Sequence, residues 1–151
     1  TGSPSRFDAV TPRWYYAALT GFDSPSTVAS GAEARLIEAE AQLQKGNTAG
    51  FLQIINDLRT FQNLGPVADA GSQDGNVDLL FHERAFSLFA TSHRLGDMRR
   101  LVRQYGRDAE SVFPTGNYHK DGLKFGTDVN FLVPAPERNN PKFTGCIDRN
   151  A

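Results

Sequence analysis

Residues 80–101 read LFHERAFSLFATSHRLGDMRRL, and no other stretch narrows the fold as much. From residue 77 to about 90 the apolar side chains Leu79, Leu80, Phe81, Ala85, Phe86, Leu88 and Phe89 fall nearly all round a helix. Only Glu83, Arg84, Ser87 and Thr91 form a polar stripe. A helix apolar on almost every side needs other elements around it, so burial is expected. Asn76 is the expected N-cap, since its side-chain oxygen can accept from a free amide of the first turn. After a polar break, a second helix is expected from about 95 to 105, stopped by Gly106. His93, Arg94, Asp97, Arg99 and Arg100 stand like a comb across the break. Such a comb serves a metal site, a nucleic-acid patch, or the orientation of two helices.

Upstream, Ser30-Gly-Ala-Glu33 is a capping box: a hydroxyl for the free amides, and a carboxylate three residues on that reaches back. It predicts a helix to about Lys45, with Gly46 as the left-handed stop. Two inward stripes are expected on it, Ala34-Ile37-Ala41 and Leu36-Ala39-Leu43. Asn47 caps a second helix, on which Phe51, Ile54, Ile55 and Leu58 recur at i, i+3, i+4 and i+7. So short a turn makes the two helices antiparallel neighbours. Residues 63–76, NLGPVADAGSQDGN, are rich in turn formers and read as a loop. Residues 1–29 carry Pro4, Pro12, Pro25 and the aromatic run Trp14-Tyr15-Tyr16; they read as an irregular lead-in with room for one short strand at 13–18. Beyond Asp108 lie four of the eight prolines and no helical period, leaving loops and one short strand at 131–133. The expected layout is a mostly α chain: lead-in 1–29, helical core 30–107, and an irregular segment 108–151 packing on the helices.

Charge excludes some classes. With 16 basic and 17 acidic residues the net charge is −1, which gives no general pull toward nucleic acid or anionic membrane. Arginine outnumbers lysine twelve to four, which favours forked, directional pairing over a diffuse field. Glu83 and Asp97 are the expected carboxylate partners. His82-Glu83-Arg84-Ala85-Phe86 lacks the second histidine of the HExxH zinc signature, because Phe86 occupies its place. Asp74-Gly-Asn76-Val-Asp78 opens like a calcium loop. Leu79 then stands where glycine is needed, and Ala85 where the bidentate carboxylate is needed. No metal and no cofactor is therefore expected.

There is no GxSxG, GxxxxGK[ST] or GxGxxG, and no catalytic residue is nominated. Cys146 is a lone cysteine without an activating context. No apolar run approaches the roughly 20 residues of a membrane span. The chain opens TGSPSRFD, with neither an initiator Met nor a leader, and is expected to be part of a longer protein. Trp14 and Tyr15, with Tyr16 and Tyr118, offer flat rings for stacking on sugars, or alternatively for packing the irregular segments onto the helices.

In this order the pieces resemble the C-terminal portion of the SusD/RagB family. EARLIEAEAQLQKGN…FLQIINDLR is similar to the family's tetratricopeptide-like helix pair, with its Asn-x-x-Arg at Asn56-Asp57-Leu58-Arg59. LLFHERAFSLFATSHRLGDMRR resembles the family's Glu-Arg…Gly-His-Arg…Asp-Leu-Arg-Arg block at Glu83, Arg84, His93, Arg94, Asp97, Arg99 and Arg100. FLVPAPERNNPKF resembles the closing segment at Pro134, Pro136, Glu137, Asn140 and Pro141. Ser87 and Thr91 stand where the family usually has Glu, Ser92 where it has Gly, and Phe51 where it has a small residue.

The resemblance implies tetratricopeptide-like antiparallel helix pairs in a non-catalytic protein that binds a glycan or other nutrient. Such a protein sits on the outer membrane at the cell surface and caps a TonB-dependent transporter. It also implies that the comb is architecture, with Glu83, Arg84, Arg94, Asp97 and Arg100 locking the break between two helices. The ligand residues expected in this chain are Trp14 and Tyr15. A different class of function, a helical module that self-associates as an extracellular assembly subunit, fits stacked helix pairs as well.

Overall fold

A computed structural model of the chain describes residues 23, 27–119, 122–126, 128–131 and 135–143. Among them the protein is mostly helical: α1 (Gly31–Gln44), α2 (Thr48–Phe61), α3 (Gln73–Ser87), α4 (Arg94–Tyr105), α5 (Ala109–Val112) and a 3-10 turn at Ala135–Asn139. The chain divides into two compact units, Thr1–Asn76 and Val77–Ala151, with the boundary inside α3.

In the first unit local chemistry sets the helix ends. Ser30 Oγ accepts from the Glu33 amide at 3.1 Å and opens α1. Gly46, at φ +75°, reverses the chain as a left-handed stop. Asn47 Oδ1 then accepts from the Gly50 amide at 3.1 Å and opens α2. Three residues separate the helices, so they pack antiparallel. Leu36, Ala39 and Leu43 of α1 are buried with Phe51, Ile54 and Ile55 of α2. Each large side chain among them contributes about 1.5–3 kcal/mol by leaving water.

Only one of the two stripes expected on α1 faces inward. Ala34, Ile37 and Ala41 are exposed, because packing on α2 covers one face alone; the buried row 36, 39, 40, 43 is completed by Glu40. Phe51 is fully buried.

The loop after α2 is held by side chains acting as backbone. Asn56 donates through Nδ2 to the Val67 carbonyl at 3.1 Å, and its Oδ1 accepts from the Val67 amide at 2.8 Å. Arg59 Nε donates to the Gly65 carbonyl at 2.6 Å. The Asn-x-x-Arg tetrad therefore has a physical purpose: one turn of α2 staples residues 65–67 against it.

Helix α3 begins one turn before the expected cap. Ser72 is the cap: its Oγ accepts from the Gly75 amide at 3.0 Å, and its carbonyl accepts from the Asn76 amide at 3.0 Å. Both serine and asparagine suit such a position, and tertiary bonding decides between them. Asn76 is buried inside the helix, where Oδ1 accepts from the Ala70 amide at 3.1 Å and Nδ2 donates to Asp69 Oδ1 at 2.8 Å. The bond from Asn76 and a second from the Gly71 amide hold the Asp69 carboxyl below its ordinary value of 3.8. A Cβ on Gly75 would meet the Ala70 Cβ at 2.8 Å, so this turn requires glycine for close approach. Gln73 Nε2 donates to the Leu43 carbonyl at 3.1 Å and satisfies one open acceptor at the end of α1.

In the second unit α3 is buried on one face and not, as expected, nearly all round. Glu83 and Arg84, the expected polar stripe, are 6% and 4% exposed, whereas Phe86 and Phe89, expected to be buried, are 71% and 63% exposed. Val77, Leu80, Phe81, Arg84 and Leu88 fall on one helical face and are buried together in the fold. His82, Phe86 and Phe89, at i, i+4 and i+7, share the opposite one. The helix also stops at Ser87 rather than near residue 90. Ala90 and Ser92 lie at φ +60° and +67° in the junction before α4.

Gly106, at φ +65°, ends α4 as expected. Phe81 meets Tyr105 edge to face, with centroids 5.4 Å apart. Past residue 108 the structure adds the single turn α5. An isolated antiparallel bridge between Asn117 and Lys124 follows, flanked by the Tyr118 amide donating to the Leu123 carbonyl at 2.8 Å and the Phe125 amide donating to the Gly116 carbonyl at 3.0 Å. Phe131 lies outside any strand; residues 13–18, 132–133 and Cys146 lie outside the described residues.

Candidate functional site

The break between α3 and α4 is closed by one ion-pair cluster. Arg84 donates to Asp97 through two parallel bonds, Nε to Oδ2 and Nη2 to Oδ1, both 2.9 Å. Arg100 adds Nη1 to Oδ1 at 3.3 Å. The Arg84 and Asp97 side chains are 5% and 6% exposed, against 30% for Arg100. A guanidinium fork on a carboxylate fixes distance and plane together, so it sets the angle between the helices more surely than it adds net stability. The Arg100 guanidinium also lies 5.4 Å from the Phe81 ring centre, which ties the cluster to the core.

The junction is ordered by a second polar unit. Thr91 Oγ1 donates to the Leu88 carbonyl at 2.6 Å and lies 2.8 Å from His93 Nδ1. A hydroxyl has one proton, and Leu88 takes it. His93 Nδ1 must then carry a hydrogen and donate to Thr91.

The residues expected to form the network are partly brought together. Arg84, Asp97 and Arg100 meet. The fork on Asp97 comes from Arg84 of α3, not from Arg94 one turn away on the same helix. With Arg84 and Arg100 on it, the carboxylate is filled, and Arg94 is exposed at the start of α4 with no ion pair among the described residues. Glu83 is buried in α3. Trp14 and Tyr15 lie outside the described residues.

Beside the cluster, entirely within the second unit, opens a cleft of about 890 Å3. Its wall includes Arg84, Arg94, Asp97 and Arg107, with Phe86 and Phe89. Arg107 Nη2 donates to Asp78 Oδ1 at 3.0 Å. His82 stacks on Phe86 with ring centres 4.8 Å apart. The cleft is not legible in the sequence, where Phe86 and Phe89 rank as core by hydrophobicity, yet both are exposed in its wall. Their i, i+4, i+7 relation to His82 was the available clue. The pairing of Asp78 with Arg107, 29 residues apart, left no local sign.

The stretch that imitates a calcium loop is helical in the structure, since residues 74–78 lie in the first turns of α3 and the Asn76 amide group is committed to the loop. No group of three or more His, Cys, Asp or Glu suited to a metal ion occurs among the described residues. Within the same residues no helix is long and apolar enough to cross a membrane.

A family model described as the SusD family matches residues 31–142, from the first residue of α1 to just past the 3-10 turn. No curated protein and no solved structure matches the chain.

Proposed function

The chain belongs to the SusD family, at the family level nutrient- and glycan-binding proteins of the outer membrane, and from that premise we propose that it binds an oligosaccharide or similar nutrient without altering it. It forms the helical C-terminal part of such a protein, displayed at the cell surface, and works with a TonB-dependent transporter that carries the ligand inward. The α1–α2 pair serves as tetratricopeptide-like scaffold, and the Arg84–Asp97–Arg100 cluster ties α4 to α3.

The observation that carries the binding reading is the commitment of the cleft's carboxylates. Glycoside cleavage needs one carboxyl free to give a proton and another free to attack or to activate water. In the cleft Asp97 is held by two arginines and Asp78 by Arg107. Both carboxylates of the wall thus have guanidinium partners, whereas exposed rings and guanidinium donors suit retention.

The test incubates the full chain with a panel of oligosaccharides and measures retention and product formation separately, with affinity capture of membrane partners. Retention without cleavage and co-purification of a TonB-dependent barrel is the expected result. Turnover of any glycan refutes the non-catalytic reading. Ordered self-polymers with neither glycan nor barrel attached point instead to an assembly subunit.

A further inference from the structure

The cleft beside α3 and α4 has a charge pattern more specific than a general sugar platform. Its wall holds three guanidinium groups, Arg84, Arg94 and Arg107, against two carboxylates, Asp78 and Asp97. Both carboxylates are already engaged, Asp97 by Arg84 and Asp78 by Arg107. That leaves Arg94 as a cation in the wall that is exposed and has no ion pair or hydrogen bond among the described residues. The same wall carries the exposed rings of Phe86 and Phe89. The cleft volume, about 890 Å3, falls within the range of sites for small organic ligands.

A ligand fitting this wall must supply two features at once. It needs a flat apolar face for the phenyl rings and an anionic group of planar, two-oxygen shape for the fork. Neutral sugars supply the first and leave Arg94 solvated. Acidic peptides supply the second, but their flexible carboxylates bring no rigid ring face. A hexuronate has both: axial C–H bonds make one ring face apolar, and the carboxylate projects from the ring edge.

We propose that this cleft binds oligosaccharides bearing uronic acid residues, with the carboxylate on Arg94 and a sugar face on Phe86 or Phe89. The inference rests on the glycan-binding reading above and names its substrate class.

Calorimetric titration of the full chain tests it. The probes are oligogalacturonate and a glucuronate-containing oligosaccharide, the methyl ester of each, a neutral maltooligosaccharide of equal length, and a hexaglutamate peptide. The free acids are expected to bind, with their esters ten- to a hundredfold weaker, the usual weight of one charge-assisted contact. Arg94→Gln is expected to bring the acids down to the affinity of the esters, with Arg94→Lys between. Phe86→Ala is expected to weaken acid and ester alike. Both side chains are exposed, so melting curves of these variants should match the parent and separate lost binding from lost fold. Equal binding of acid and ester, or an Arg94→Gln variant that keeps the preference, overturns the uronate assignment and leaves glycan binding standing. Binding of the peptide alone, or of no oligosaccharide, overturns both.

Discussion

Replacing Asp97 by alanine removes the acceptor of three guanidinium hydrogen bonds and leaves Arg84, itself 4% exposed, charged inside the fold. The loss is asymmetric. Arg100, with 30% of its side chain exposed, can turn to water, but Arg84 has no comparable route. Hydrogen bonds to charged groups are each worth about 1.5–3 kcal/mol, and breaking a buried pair by removing one partner costs about 3–5 kcal/mol in all. Against a total stability of roughly 5–15 kcal/mol that is a large share. For a chain of this size it corresponds to a fall in Tm of roughly 6–20 °C. Removing both charges gives a different expectation. Arg84→Met with Asp97→Leu abolishes the pair without stranding either member, so most of the loss should return. Urea unfolding of the parent, both single variants and the double variant closes the cycle and isolates the coupling. A loss below about 1 kcal/mol in Asp97→Ala, or single-variant losses that simply add in the double, would refute the clasp as the determinant of the α3–α4 joint.

Ser92 sits at φ +67°, where a side chain is strained by about 1–2 kcal/mol, so Ser92→Gly should raise stability by roughly 0.5–1 kcal/mol after the extra chain entropy is counted. An unchanged or lowered urea midpoint would contradict it. Asn56→Ala removes both bonds to Val67 and should cost about 1–3 kcal/mol, with faster hydrogen exchange at the Val67 amide than in the parent. Asp69 has a folded pKa below 3.8, so the unfolded chain takes up its proton first as pH falls. Its contribution is therefore complete above that value and lost as pH drops through the lowered one. The stability gap between the parent and Asp69→Asn should be constant near neutrality and close in that acid window; a gap independent of pH would count against the Asn76 and Gly71 bonds.

What could be read from sequence divides by the range of the interaction. Ser30, Gly46, Asn47 and Gly106 act within one helical turn, and each ends or opens a helix where its residue type says it should. The start of α3 was illegible for a definite reason: Ser72 and Asn76 are both good caps, and only the fold shows that Asn76 is spent on Asp69 and Ala70. The faces of α3 misled for another reason. Hydrophobicity ranks Phe86 above Arg84 for burial, but the fork from Arg84 to Asp97 satisfies the charge that would otherwise keep an arginine outside. The cleft was hidden with it, since it exists only once α3 presents Phe86 and Phe89 outward.

The polar joints also bear on how fast the chain can find its fold. The Arg84–Asp97 clasp spans 13 residues, the Asn56–Val67 staple 11, and the Asn76–Asp69 bond 7. Closing loops of about ten residues takes on the order of 10–100 ns, and the entropy lost grows only slowly with length. Each joint can thus close while the rest of the chain is still open. The Gln73 bond to Leu43 and the Arg107 bond to Asp78, spanning 30 and 29 residues, are left to form once the helices they connect have met. Helical chains with contacts this local belong at the rapid end of the folding range, where exposed phenylalanines spend the least time in a partly collapsed state able to aggregate.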